Sequence, residues 1–213
     1  MAYEDLRTYT EQDPNNHITD IGDDGFGITF VSVRNEDAWR YRDLGVGHLV
    51  DFVHEFETKV TEIGTIGDLA FVYAFANTID DARSWFVDNA EAVQVWWYNP
   101  NGSSIKLYLQ ETDGGWTQDI SGALALNTDY YCTLTRSGAT VTLQIYSDAA
   151  RTTLVDTLTV SIPSAHTYRY VFAAVSYNTA TAHSATAIIR NLDLGEVSTG
   201  AIPAPLLLGR GGF

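Results

Sequence analysis

The chain has 213 residues, of which 45% are hydrophobic and 12% aromatic, so it fits one large domain with a sizeable core. With 12 Lys and Arg against 27 Asp and Glu, its formal net charge of -15 opposes binding to nucleic acid and to anionic membranes. Cys132 is the only cysteine, which excludes an intramolecular disulfide.

The N-terminal part of the chain alternates short β-patterned runs with turn sequences. Strands are predicted over residues 3–10, 18–21, 26–33, 38–43 and 49–61. In the run at residues 49–61 we expect successive side chains to face the core and the solvent alternately. The core set is Val50, Phe52, His54, Phe56 and Val60, and the solvated set is Asp51, Val53, Glu55, Glu57 and Lys59.

Residues 69–76 are apolar on both parities, which indicates burial on both faces. The run is either a central strand or a strand covered by a neighbouring subunit. Residues 77–92 are less regular and predict a long loop over one face, in which Asp80 can begin a short helix.

A hairpin is predicted around the turn sequence at residues 99–104, with strands at 93–98 and 105–110. Alternate residues of these two strands are expected to face the core: Val93, Val95, Trp97, Ile105, Leu107 and Leu109. The opposite parity carries Gln94, Trp96, Tyr98, Lys106, Tyr108 and Gln110.

Residues 130–162 form the clearest pattern in the chain. Two alternating runs meet at Ser137-Gly138, and a third follows the turn at residues 148–152. This predicts a three-stranded meander whose apolar face, which includes Cys132, needs a second sheet to cover it. About a dozen short strands separated by turns indicate a sandwich or jelly roll.

The pattern Tyr-Tyr-x-x-x-x-Arg-x-Gly from Tyr130, the strand ending Ile-Tyr-Ser-Asp at Asp148, and the closing run at residues 188–196 resemble the concanavalin A-like (laminin-G-like) jelly rolls. The resemblance implies an all-β concanavalin A-like jelly-roll β-sandwich. It implies little about function, because lectins, glycosidases and virion proteins share this fold.

The outer parity of the predicted hairpin is a candidate carbohydrate-contact site. It would bring Trp96, Tyr98 and Tyr108 together with the amides Gln94 and Gln110. Aromatic faces stack on sugar rings, and amides hydrogen-bond hydroxyl groups. The alternative is structural cover of these aromatics by the loop at residues 80–89 or by a neighbouring subunit.

A glycosidase site is the second candidate. Laminarinase-like enzymes of the resembled group carry Glu-x-Asp-x-x-Glu or Glu-x-Asp-x-Glu on one strand. The nearest match begins at Glu55 and Glu57, but Lys59 and Val60 stand where the third carboxylate is required. We therefore predict that the protein is not an enzyme and has no catalytic residues.

Metal binding is the third candidate, because the resembled group often holds calcium. Aspartates cluster at Asp20, Asp23 and Asp24, and again at Asp80, Asp81 and Asp88. Neither cluster has the spacing of a dedicated calcium loop, and aspartate is common in turns. We therefore predict no cofactor and no metal ligand, with calcium as the alternative.

The last residues differ in character from the rest. We expect a jelly-roll domain over residues 1–195 and an extended apolar tail over 196–213 that docks onto another surface. The candidate assembly residues of this tail are Ile202, Leu206, Leu207, Leu208 and Phe213. Tails of this kind resemble the C-termini of tailed-phage virion proteins.

These features together predict a non-enzymatic structural or surface subunit: a phage-like virion protein in a decoration or fibre role, with glycan contact. Expected partners are copies of itself, other virion or surface proteins, and glycans. The alternatives are a carbohydrate-binding module or lectin, and a divergent laminarinase-like glycosidase. The polar N-terminus indicates synthesis as a soluble cytoplasmic chain destined for the virion surface, or an extracellular protein if a leader precedes it.

Overall fold

The computed structural model describes residues 3–22, 24–33, 37–64, 66–88, 90–102, 104–177 and 184–195. Over these ranges the chain forms fourteen β-strands, one short α-helix and a 3-10 turn at Leu6–Thr8. The strands make two antiparallel sheets of seven strands each, called here the front sheet and the back sheet. None of the described helices is long and apolar enough to cross a bilayer.

The front sheet carries the candidate site. In spatial order its strands are β1 Thr10–Gln12, β4 Trp39–Asp43, β13 Tyr170–Val175, β6 Leu69–Ala76, β7 Ala92–Tyr98, β8 Lys106–Thr112 and β9 Trp116–Ile120. Helix α1, Ala82–Asp88, lies in the connection between β6 and β7.

The back sheet contains the predicted meander. In spatial order its strands are β12 Leu154–Ser161, β11 Thr140–Tyr146, β10 Tyr130–Ser137, β5 Phe52–Ile63, β14 Ser184–Asp193, β3 Ile28–Val33 and β2 Ile18–Asp20. The β10–β11 register ends at Ser137 opposite Thr140, around Gly138 with φ of 57°. The predicted hairpin and meander are confirmed.

The main core lies between the two sheets and follows the predicted alternation. Val93, Val95 and Trp97 of β7 are fully buried in it. The indole Nε1 of Trp97 donates to Thr58 Oγ1 of the back sheet at 2.9 Å, so the ring's one polar group is satisfied. Cys132 is also fully buried, and burial raises the pKa of its thiol to about 12. The prediction of a core cysteine is confirmed.

Three local predictions are wrong. Residues 3–10 do not form one strand, because a 3-10 turn precedes the short β1. Val50 lies before β5 and is 47% exposed, since the strand alternation begins only at Phe52. Glu57 was predicted on a solvated face but is buried, because the Nε of Arg190 on the adjacent β14 lies 3.0 Å from its Oε2.

Strand β6 settles the alternative left open for residues 69–76. All eight of its residues are buried, and it runs between β13 and β7 at the centre of the front sheet. One face meets the main core, and the other meets a second apolar cluster beneath α1. The outer cover therefore comes from this chain's own helix.

Candidate functional site

The outer face of the front sheet brings the five predicted carbohydrate-contact residues together. Gln94, Trp96 and Tyr98 alternate with the core residues of β7, and the register places Trp96 opposite Tyr108 and Gln94 opposite Gln110. The ring centroids of Trp96 and Tyr108 lie 4.4 Å apart, and those of Tyr98 and Tyr108 lie 5.3 Å apart. Strand pairing thus builds one continuous patch of aromatic and amide groups.

Helix α1 covers part of this face. Asp81 caps the helix by accepting from the backbone N–H of Arg83 at 2.7 Å. Trp85 points inward, where its ring packs edge-on against Phe172 at 4.9 Å and its Nε1 donates to Thr78 Oγ1 at 3.1 Å. The predicted cover by the loop around residues 80–89 is present, and it leaves Gln94, Trp96 and Tyr108 buried.

An open cavity of about 110 Å³ remains between α1 and the β8–β9 end of the front sheet. We call it the aromatic cleft. Its lining consists almost entirely of apolar, aromatic and amide side chains: Leu69, Phe71, Ala82, Phe86, Trp96, Gln110, Trp116, Gln118 and Tyr177. None of these side chains is charged.

The aromatic rings of the cleft are packed against one another on its floor and exposed to solvent at its rim. Phe71 stacks on Trp96 at 5.2 Å and on Tyr177 at 5.4 Å, so the floor is packed. At the rim, Trp116 is 51% exposed, and its ring lies 6.2 Å from that of Phe86 on α1. An exposed tryptophan beside a packed aromatic floor offers a flat apolar face to a ligand.

Two buried polar groups at this face lack hydrogen-bond partners among the described residues. Gln94 is 1% exposed, yet neither its side-chain oxygen nor its nitrogen is paired. The indole Nε1 of Trp96 is also unpaired. Each such group costs roughly 1–3 kcal/mol, and buried polar groups are normally satisfied by protein, water or ligand. Two buried polar side chains without partners, Gln94 and Trp96, are therefore unusual on a purely structural surface.

Burial and the neighbouring Tyr98 raise the pKa of the Tyr108 phenol. Tyr108 therefore stays protonated at neutral pH, because the neutral form is favoured in a poorly solvated site. Tyr108 thus adds a hydroxyl but no charge to the outer face of the front sheet.

The sequence singled out only part of this site. Phe71, Phe86, Trp116, Gln118 and Tyr177 were missed because they come from four separate segments that only the fold brings together. Alternation within β9 could have identified Trp116 and Gln118, which are two residues apart on one strand.

The other candidate groups lie elsewhere. Glu55 is 3.3 Å from Arg151, and Glu57 is paired with Arg190, both on the back sheet. Asp20 pairs with Arg40 at 2.5 Å and Asp24 with Arg190, so these two aspartates face different cations. Asp23 and the tail residues Ile202, Leu206, Leu207, Leu208 and Phe213 lie outside the described residues.

No protein-family model matches the sequence, and no curated protein matches it significantly. Solved structures do match. A functionally unknown protein from Saccharomyces cerevisiae is 12% identical with a TM-score of 0.57, covering 88% of this chain and 96% of that one. An alginate lyase from Klebsiella pneumoniae is 11% identical with a TM-score of 0.52, covering 80% and 81%.

A third match is to botulinum neurotoxin type C, described through its interaction with two ganglioside molecules. It is 9% identical with a TM-score of 0.54, covering 87% of this chain and 43% of the toxin chain. The fold is an all-β jelly-roll β-sandwich, as predicted. The apolar tail of that prediction lies outside the described residues.

The prediction that the protein is not an enzyme is corrected by these comparisons. Several of the matched structures are alginate lyases, with TM-scores of 0.52 to 0.54. That prediction rested on the incomplete glycosidase motif at Glu55, which bears on hydrolysis and not on elimination chemistry. The matched structures lend no support to the viral role.

Proposed function

We propose that the protein is carbohydrate-active and binds a glycan in the aromatic cleft of the front sheet. The observation that carries this proposal is the half-exposed Trp116 at the rim of a cleft that also carries the amides of Gln110 and Gln118. The rings can stack on sugars, and the amides can bond their hydroxyl groups. The alginate lyases and the ganglioside-interacting toxin among the structural neighbours add support.

The negative net charge of the protein should affect the binding of anionic glycans but not that of neutral glycans. The cleft lining is uncharged, while the whole chain carries a net charge of -15. A polyuronate such as alginate is repelled at low ionic strength, whereas a neutral glucan is not. Added salt should therefore strengthen binding of the polyuronate and leave binding of the neutral glycan nearly unchanged.

The test is calorimetry and affinity electrophoresis with neutral β-glucans and with alginate, each at low and high salt. Trp116→Ala should weaken binding about tenfold, which corresponds to about 1.4 kcal/mol. Tyr146→Ala, on the outer face of the back sheet, is the matched control and should bind like the wild type. Unchanged affinity in Trp116→Ala, or no binding to any glycan, would contradict the proposal.

Polysaccharide lyase activity is the second candidate function. It is favoured by the matched lyases and by the adjacent phenols of Tyr98 and Tyr108, whose ring centroids lie 5.3 Å apart. In β-elimination a base removes the proton beside a uronate carboxyl group, the C4–O bond breaks, and the leaving oxygen takes a proton. Tyr108 keeps its proton at neutral pH and suits donation to that oxygen. The neighbouring Tyr98 is our candidate base, and Gln110, which lines the aromatic cleft, is a candidate partner for the carboxylate.

Lyase activity is measured by the ultraviolet absorbance of unsaturated uronate products from alginate. Tyr108→Phe should reduce the rate about 100-fold, because general acid catalysis contributes on that order. Tyr146→Phe should match the wild type. A wild-type protein that binds alginate without releasing unsaturated products would remove the lyase candidate and leave glycan binding intact.

The role as a repeated surface subunit stays a prediction from the sequence, and it rests on the apolar tail. A chain ending at Thr199 should keep a β-rich circular dichroism spectrum but sediment as a smaller species. An unchanged oligomeric state would show that the tail is not the assembly element.

A further inference from the structure

Three side chains from separate segments converge at one end of the front sheet, and none of them is among the residues that line the aromatic cleft. Glu91 precedes β7, Asp113 lies between β8 and β9, and His166 lies between β12 and β13. The Nε2 of His166 is 3.4 Å from Glu91 Oε1 and 3.6 Å from Asp113 Oδ2. One ligand atom from each residue lies within 4.8 Å of the other two.

These separations fit atoms that share one metal ion. Ligands at 2.0–2.2 Å from a tetrahedral ion lie about 3.3–3.6 Å from one another. The donor set is one imidazole nitrogen and two carboxylates, which suits Zn²⁺ and related ions. Calcium and magnesium prefer all-oxygen sites.

A fourth carboxylate belongs to the same end of the sheet. Glu111, two residues before Asp113 at the end of β8, is only 6% exposed. Its Oε2 accepts from the Thr117 hydroxyl at 3.2 Å. The Nδ1 of His166 is also buried and makes no hydrogen bond to a described residue.

The surrounding structure holds these groups in place. Asn77 Nδ2 donates to the second oxygen of Glu91 at 2.8 Å, which orients that carboxylate. The guanidinium of the buried Arg136 donates to the backbone carbonyl of His166 and to that of Leu49, which ties the His166 segment to the sandwich. Such supporting contacts pre-organise a metal site before the ion binds.

We propose that Glu91, Asp113 and His166 bind a single divalent ion of the Zn²⁺ class. The three protein ligands leave at least one coordination position open, with Glu111 close by. The ion joins the segments before β7, between β8 and β9, and before β13, so its binding stabilises this end of the sandwich.

The test uses the full chain, stripped of metal and titrated with Zn²⁺ by calorimetry and with Co²⁺ by visible absorption. We expect one ion per chain and a higher melting temperature with Zn²⁺. His166→Gln should weaken Zn²⁺ binding at least ~10-fold, since even supporting residues contribute that much. His48→Gln replaces an exposed histidine outside the cluster and is the matched control, with unchanged affinity expected.

Asp113→Asn is a second ligand variant in an exposed turn, where loss of the carboxylate should leave the fold intact. It should weaken Zn²⁺ binding as His166→Gln does, with an unchanged circular dichroism spectrum. Absence of saturable Zn²⁺ binding, or wild-type affinity in both variants, would overturn the site. Tighter binding of Ca²⁺ than of Zn²⁺ would overturn the class of ion.

Discussion

The Nδ1 of His54 lies 2.5 Å from the hydroxyl oxygen of Tyr73, inside the core between the two sheets. The two residues belong to β5 of the back sheet and β6 of the front sheet, so this contact links the layers. The His54 ring also stacks on Phe52 at 3.9 Å. The sequence-based prediction that His54 faces the core is confirmed.

Burial lowers the pKa of His54 to about 3, from an ordinary value of 6.5. The unfolded chain therefore binds a proton between pH 6.5 and 3 that the folded chain does not. Stability from this residue is fully present above pH 6.5 and falls by about 1.4 kcal/mol per pH unit as the pH drops toward 3. Urea unfolding of the wild type and of His54→Gln at several pH values isolates this slope. Equal slopes would show that His54 titrates normally in the fold.

Gln94→Met should make the protein more stable and leave glycan binding nearly unchanged, because this buried side chain does not line the aromatic cleft. Methionine has a similar length and removes a buried amide whose two polar atoms are unpaired, a gain of roughly 1–3 kcal/mol. Thermal unfolding and glycan calorimetry measure the two effects. Gln144→Met on the outer face of the back sheet should change neither by much. A destabilised Gln94→Met would indicate that the amide has a structural partner.

Trp97→Ala should cost about 3–5 kcal/mol in the free energy of unfolding. The residue is fully buried, and its loss also leaves the Thr58 hydroxyl without its indole donor. Trp116→Ala should cost much less, because that side chain is 51% exposed. Chemical denaturation of both variants makes the comparison, and equal losses would contradict the assignment of the two faces.

Glu57→Gln should destabilise the protein more than Glu55→Gln. Glu57 is buried and paired with Arg190, which also faces Asp24 and Asp129. Breaking a buried charge pair costs more than breaking an exposed one, whereas the Glu55–Arg151 pair should contribute less than about 1 kcal/mol. Urea midpoints measure both costs. A larger effect at Glu55 would mean that Arg190 is satisfied without Glu57.

The sequence by itself determined the layer architecture and the direction of most side chains. Alternation separated Trp97 from Trp96 and placed Cys132, Leu134 and Val141 on one dry face, because successive strand residues point to opposite sides of a sheet. The turn at Gly138 was equally readable, since a positive φ favours glycine there.

Only the tertiary structure decided which distant segments meet. Residues 69–76 are apolar on both parities, but the sequence does not say that α1 supplies their outer cover. The cleft joins Phe86 to Trp116, and the proposed ion site joins Glu91, Asp113 and His166 across three connections. Local periodicity reports the face on which a residue lies. Which strands become neighbours depends on long-range pairing across the whole chain, so these sites had no local signal.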